Sequence, residues 1–323
     1  MEPKSESDHK NIIEEVNTFI FDMPVEYSLG HCVASDMRMS AGIAIYFKSI
    51  FERVGELMDQ RPDVGNVAFL QQNDRFIYYL ISKKLSNGKP TYKSLTAAIT
   101  KLRDFIVIHG VKKLAIPRIG CGLDKLDWCI VKNIIKCLFQ GVGCEIKVCH
   151  FTQNMSNEKD LLQINHPTVL RMSSQNIKDI KKREFEKLNI ILYSLNTSLP
   201  VYWDKHFQSV NEKYYFKLQY YKDNKIKLEA GQCLHYETIE AHIYVIIINE
   251  NKINHFSYQN LEKGLIKIKS MIKDIQWHPT FVVHKVNNPI FEKLINQKII
   301  SLICSVFLNL TPCVIIEISN VNN

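Results

Sequence analysis

The chain has 323 residues, of which 46% are hydrophobic and 23% charged, with only 12 Gly and 10 Pro. That composition excludes disordered, collagen-like and low-complexity chains, and the length predicts two domains, each large enough to bury its own core. There are 41 basic and 33 acidic residues, a net charge of +8; the excess is spread over both halves, which suits an anionic ligand better than a dedicated nucleic-acid patch.

Nine cysteines (32, 121, 129, 137, 144, 149, 233, 304 and 313) contain no C-x-x-C pair. This predicts reduced thiols in a protein of the nucleus and cytoplasm, and no metal site. Residues 1–10 are polar and charged, and no apolar run approaches the ~20 residues of a membrane helix, so neither a secretory leader nor a membrane span is expected.

In chain order, apolar alternation predicts a strand over 12–21 and a second over 27–33. Ser40 is the expected N-cap of a helix whose stripe is Ile43, Phe47, Ile50, Phe51 and Val54. A hairpin follows, 66–71 and 75–82, with Lys83 and Lys84 at its end. Thr91 is the expected cap of a second helix, with Leu95, Ala98, Ile99, Leu102, Phe105 and Ile106 inward and Gly110 as its stop. A short strand at 114–116 runs into Pro117, Arg118, Ile119, Gly120, Cys121, Gly122, Leu123 and Asp124, then a helix through Trp128 and Leu138 and a last strand over 145–150. Strands alternating with helices make this an α/β layered domain over 12–152. Residues 153–185 are polar and highly charged and are the expected linker, with the run Lys181, Lys182, Arg183, Glu184 read as an exposed helix. A second α/β domain is expected over 186–323.

Sliding the sequence by 166 positions brings Tyr27, Ser28 and Leu29 onto Tyr193, Ser194 and Leu195, Ile77 and Tyr78 onto Ile243 and Tyr244, Tyr92 onto Tyr258, and Val148 onto Val314. The apolar pattern persists between these points, the signature of a tandem duplication. At that offset Lys83 becomes Asn249 and Asp124 becomes Ile290, so the second copy keeps the core pattern without the polar residues. The competing reading is two unrelated α/β domains with similar spacing.

Three features have chemical potential. Gly120 and Gly122 follow a buried strand and precede a helix, where backbone N–H groups approach an anion such as phosphate; a tight turn needs glycine for its own sake too. Ser40, Ala41 and Gly42 offer a second such loop, so two loops at strand ends have the composition to hold a diphosphate between them. Lys83 is a nucleophile if desolvated beside Lys84, and Asp124 is either a general base or a helix cap. His31 reads as a packed strand histidine.

The blocks Gly30-His31-Cys32, Arg38-Met39-Ser40-Ala41-Gly42-Ile43-Ala44, Ile77 through Lys84, Lys89-Pro90-Thr91-Tyr92 and Pro117 through Asp124 together resemble macrodomain hydrolases of the terminal ADP-ribose protein glycohydrolase type, over residues 12–151. The resemblance implies a mixed sheet sandwiched by helices with ADP-ribose in a cleft at the strand ends, and no cofactor. It implies that Lys83 attacks the anomeric carbon of the distal ribose and that Asp124 helps resolve the lysyl adduct. Phe19, His31, Ser40, Ala41, Gly42, Ile43, Pro117, Ile119, Gly120, Cys121, Gly122 and Leu123 are the ADP-ribose-binding residues it implies. Where the family carries Lys-Gly-Asp to grip adenine, this chain has Asn17, Thr18 and Phe19; the family's serine before the acidic pair is Ala34, and its aromatic near the last strand's end is Cys149.

The expected substrates are therefore mono-ADP-ribosylated acidic side chains of proteins or O-acetyl-ADP-ribose. A non-catalytic ADP-ribose reader and removal of ADP-ribose from nucleic acid are the alternatives. The second half, a degenerate macrodomain-like domain, is expected to scaffold, dimerise or recruit a protein partner.

Overall fold

The computed structural model describes residues 13–150, 169–172, 187–194, 205–216, 228–249, 256–272, 280–284, 294–307 and 315–319. They fall into two compact units, one drawn from Met1–Glu52 and Gln60–Ser156, the other from Arg53–Asp59 and Asn157–Asn323.

The first unit runs β1 (Ile13–Val16), β2 (Ser28–Ala34), α1 (Ile43–Phe51), β3 (Val67–Gln72), β4 (Arg75–Lys83), α3 (Tyr92–Ile108), β5 (Lys113–Pro117), α4 (Trp128–Phe139) and β6 (Glu145–Cys149), with α2 (Val54–Asp59) counted in the second unit. Its sheet has the order β1-β6-β5-β2-β4-β3, parallel throughout except for β3 against β4. Because parallel strands are covered on both faces, β4 is buried without interruption from Ile77 to Ser82. Tyr78, Leu80, Leu114, Ile116, Ile146 and Val148 pack against α3 and α4 on one face. His31 and Tyr79 face Phe47 of α1 on the other.

Local signals explain most boundaries. Thr91 and Ser94 form a reciprocal capping box at the start of α3. Gly110, at φ +65°, lets the chain leave that helix in a left-handed turn. The β3–β4 hairpin turns on Asn73 and Asp74, with Asn73 at φ +54°.

Three expectations need correction. The first strand ends at Val16 rather than running to 21, because Phe19 and Ile20 turn inward, Phe19 meeting Phe21 and Tyr46 edge-on with ring centroids 5.1 and 5.8 Å apart. The first helix begins at Ile43 with Gly42 as N-cap, so Ser40 lies in the preceding loop. It stops at Phe51, where Glu52 and Arg53 both take left-handed backbone, and Val54 opens a separate helix.

The second unit runs β7 (Val169–Met172), β8 (Leu188–Ser194), α5 (Lys205–Tyr214), β9 (Cys233–Glu237), β10 (Ala241–Ile247), α6 (Tyr258–Met271), β11 (Thr280–His284), α7 (Ile295–Phe307) and β12 (Ile315–Ser319). Its sheet order, β7-β12-β11-β8-β10-β9, repeats the first sheet strand for strand, including the one antiparallel edge. The duplicated pattern is thus a duplicated topology.

The pairing registers also correct the alignment. The offset of 166 holds where Leu70↔Ile77 matches Tyr236↔Ile243 and where α3 matches α6. Pairing aligns Leu29 with Ile190, 161 positions on, so the match of Tyr27 to Tyr193 sets the start of one strand on the end of the other. Val148 corresponds by pairing to Ile318, with Val314 outside the described residues. β7 lies inside the segment expected as linker, which therefore carries a strand of the second sheet; the run 181–184 lies outside the described residues.

Within this second unit, α2 and α6 cap one another. Asp59 accepts from the backbone N–H groups of Tyr258 (2.8 Å) and Gln259 (2.9 Å), while Glu262 accepts from those of Val54 and Gly55, both at 3.0 Å. Each carboxylate sits at the positive end of the other helix. Among the described residues no helix is long and apolar enough to cross a membrane.

Candidate active site

The centre of the first sheet opens at its carboxyl end. β2 pairs with β5 only at Ser28↔Leu114 and Leu29↔Ala115, although β2 continues to Ala34. The loop after β2 and the loop after β5 leave on either side of that opening, the usual position of a ligand crevice in a parallel sheet.

β4 ends on Lys83, carrying its side chain to this edge. Nζ donates to Oδ1 of Asp124 at 2.7 Å, with the two side chains 15% and 14% exposed. Asp124 is not the cap of α4: Asp127 does that, its Oδ1 accepting from Cys129 N–H at 2.7 Å. Lys84 points to solvent. Cys32 on β2 lies beside the pair; burial, helped by the Asp124 charge, pushes its thiol up to about 12, so it stays protonated.

The loop 118–126 is shaped by its glycines. Gly120 is at φ +72°, and a Cβ there would stand 2.9 Å from a Leu95 methyl and 3.1 Å from one of Leu126. Gly122 has open space where a Cβ would project. Lys89 Nζ donates to the Leu123 carbonyl at 2.9 Å and holds the tip. Pro117 and Ile119 are buried, Cys121 is half-buried with its thiol raised to about 11 by burial, and Leu123 is exposed.

The loop 40–43 comes up against this one, since a Cβ at Gly42 would lie 3.6 Å from Leu123 Cδ1. Gly42, at φ +60°, opens α1 without a side-chain cap, so its first turn keeps donors for an anion. Ser40 and Ala41 are exposed beside it and Ile43 is half-buried.

The two aromatic members of the expected site are both buried. His31 is wholly buried, stacked on Phe47 at 3.8 Å with an 18° tilt and edge-on to Tyr79. Burial pushes its pKa down to about 3, offset only partly by the Cys32 backbone. Phe19 has its ring among Phe21 and Tyr46 and is almost fully covered. Both pack among the rings beneath α1 and present no open face.

One anchor was not singled out from sequence. Asp36, buried after β2, accepts from Ser86 N–H (2.9 Å), Ser86 Oγ (2.7 Å) and Arg38 N–H (3.3 Å), stapling the loop after β2 to the turn after Lys83. Buried Lys48 of α1 donates to the Arg38 carbonyl at 3.1 Å. Met37 and Met39, on either side, hold left-handed backbone. An acidic residue followed at i+2 by a loop arginine was the signal available, and it is a weak one.

Beyond the loop, Glu15 gathers Arg118 Nη2 (2.7 Å), Lys132 and Trp128 Nε1 (3.2 Å), and these hydrogen bonds hold its carboxyl down at about 2. This fixes Arg118 at the start of the glycine loop.

No family model matches the chain. Human ADP-ribose glycohydrolase OARD1 is 43% identical over 129 residues, 40% of this chain and 85% of that protein, and the Bos taurus protein of the same name has the same identity and coverage. Among solved structures, the macrodomain of Mycobacterium tuberculosis DarG aligns over 44% of this chain and 98% of its own length, with 19% identity and a TM-score of 0.40. With that identity spanning most of the human protein, the chain belongs to the family of ADP-ribose glycohydrolase OARD1.

Proposed function

We propose that the chain is an ADP-ribosyl hydrolase that removes mono-ADP-ribose from acidic side chains of proteins, and/or deacylates O-acetyl-ADP-ribose acylated at the anomeric oxygen, through a lysyl-ADP-ribose intermediate. The observation that carries this is the Lys83–Asp124 contact at the end of a central strand, between two glycine loops. It is supported by relatives named ADP-ribose glycohydrolase at 43% identity.

The pair supplies both steps without a cofactor. Lys83 Nζ passes a proton to Asp124 and attacks the anomeric carbon of the distal ribose. The bond from that carbon to the acceptor oxygen breaks, and Asp124 returns the proton to the departing oxygen. In the second step the Asp124 carboxylate takes a proton from water as the water attacks the same carbon. The carbon–nitrogen bond breaks, the amine leaves, and the proton returns from Asp124 to Nζ. The N–H groups of loops 40–43 and 119–123 hold the diphosphate and distal ribose in register.

Lys83→Ala is expected to abolish turnover of an ADP-ribosylated acidic peptide, and wild-type protein incubated with ADP-ribose is expected to gain a covalent adduct by mass spectrometry that this variant lacks. Calorimetric binding of ADP-ribose with neither adduct nor turnover would replace the hydrolase by a reader.

A further inference from the structure

We propose that His235 and His242 of the second sheet form a two-imidazole site for a borderline divalent transition-metal ion of the zinc or nickel class. The site is on the β9–β10 edge, remote in sequence from Lys83 and Asp124, and does not depend on the hydrolase reading.

β9 and β10 pair antiparallel with His235 opposite Tyr244 and Glu237 opposite His242. Directly paired residues share a face, and so do alternate residues along a strand. Cys233, His235, Glu237, His242 and Tyr244 therefore occupy one face. On it, His235 Nε2 and His242 Nδ1 approach to 3.1 Å. Tyr244 stacks on His235 at 4.8 Å with a 12° tilt. Glu237, across from His242, adds a negative charge beside the pair and is held by Lys187.

The duplicated first sheet shows what this face needs for packing alone. At the offset of 166, which the β3–β4 and β9–β10 registers share, His235 corresponds to Phe69 and His242 to Phe76. Those two phenyl rings pack edge to face at 6.0 Å. Cys233 and Glu237 correspond to Val67 and Gln71. Four positions that carry no strong metal ligand in one copy carry four ligand-type residues in the other, while the stacked tyrosine, Tyr78 or Tyr244, is common to both. Apolar rings suffice to build the edge, so the imidazoles are not required by the fold.

The separation suits an ion. With each nitrogen at about 2.05 Å from a metal, a 3.1 Å gap subtends about 98° at the ion, between the right angle of square or octahedral coordination and the ~109° of a tetrahedron. A modest tilt of the exposed His235 ring turns the nitrogen–nitrogen contact into a chelate. Among the described residues no group of three or more His, Cys, Asp and Glu side chains gathers to hold a metal. Water completes the coordination, and imidazole donors favour zinc, nickel or copper over magnesium or calcium.

The full chain is titrated with zinc chloride, and separately with nickel chloride, by calorimetry in a non-chelating buffer, beside a His235→Phe/His242→Phe variant that restores the residues of the first sheet. Wild type is expected to bind one ion with a Kd on the order of micromolar, to melt at a higher temperature with metal, and to lose roughly tenfold or more in affinity in the variant. If the double variant does not melt cooperatively without metal, His242→Gln alone takes its place with the same expectation. Absence of binding by wild type, or equal binding by a folded variant, overturns the proposal and leaves the pair a hydrogen bond only.

Discussion

His31 offers a prediction whose size can be worked out before any measurement. Its imidazole is wholly buried between Phe47 and Tyr79, and burial pushes its pKa down to about 3. In the unfolded chain the same group titrates near 6.5. Below that pH the unfolded state binds a proton that the folded state refuses, so stability contributed by this site is lost as pH falls, until the folded form itself protonates near 3. Well below 6.5 each pH unit removes about 1.4 kcal/mol; because the unfolded imidazole is half protonated at 6.5, the loss between pH 6.5 and 4.5 is about 2.3 kcal/mol. His31→Phe places another flat ring on Phe47 and removes the titration. Urea unfolding of both proteins at pH 7.5, 6.5, 5.5 and 4.5 should give a stability difference that is constant down to about 6.5 and then grows in the variant's favour by about one proton's slope. Carboxylates titrate in both proteins and cancel. A difference that stays flat to pH 4.5 would refute the buried, neutral assignment.

Two further substitutions separate shape from chemistry in the loops. Gly120→Ala forces a Cβ into left-handed backbone and against Leu95, and should cost roughly 1–3 kcal/mol by thermal unfolding, whereas Gly122→Ala, with open space at its Cβ, should leave the melting temperature unchanged and lower kcat/KM. Asp36→Ala strands two Ser86 donors and the Arg38 amide; a loss of about 2 kcal/mol in stability is expected, with a fall in kcat at temperatures where the variant remains folded, measured by unfolding and turnover side by side.

Much of the first unit was legible because its signals are local. Thr91, Gly110 and the Asn73-Asp74 turn punctuate elements whose apolar residues have the period of what they form. Lys83 and Asp124 were named from sequence as nucleophile and base, and the structure sets them in contact across 41 residues. The cap reading of Asp124 gave way to Asp127, three residues on, a distinction that depends on backbone angles no composition reveals. Phe19 and His31 were harder. A polar or aromatic residue near a strand end looks the same whether it faces a ligand or the underside of a helix, and the ring stack on Phe47 is a long-range fact. The duplication was legible in its middle, from β3 to α3, where no residues have been inserted, and slipped by five positions at β2, where they have.

The parting of β2 from β5 is written into the covalent chain. Past Leu29 and Ala115 the two strands no longer pair, and two residues on stands Pro117, which has no N–H to offer to either neighbour. Pro117 thus adds no donor that could lengthen the seam, whether or not anything lies between. The crevice is thus already open in the fold with nothing bound, an arrangement that spares affinity the cost of an opening step. A site of this kind is pre-organised at its floor, and whatever adjustment ligands require falls to the loops above it.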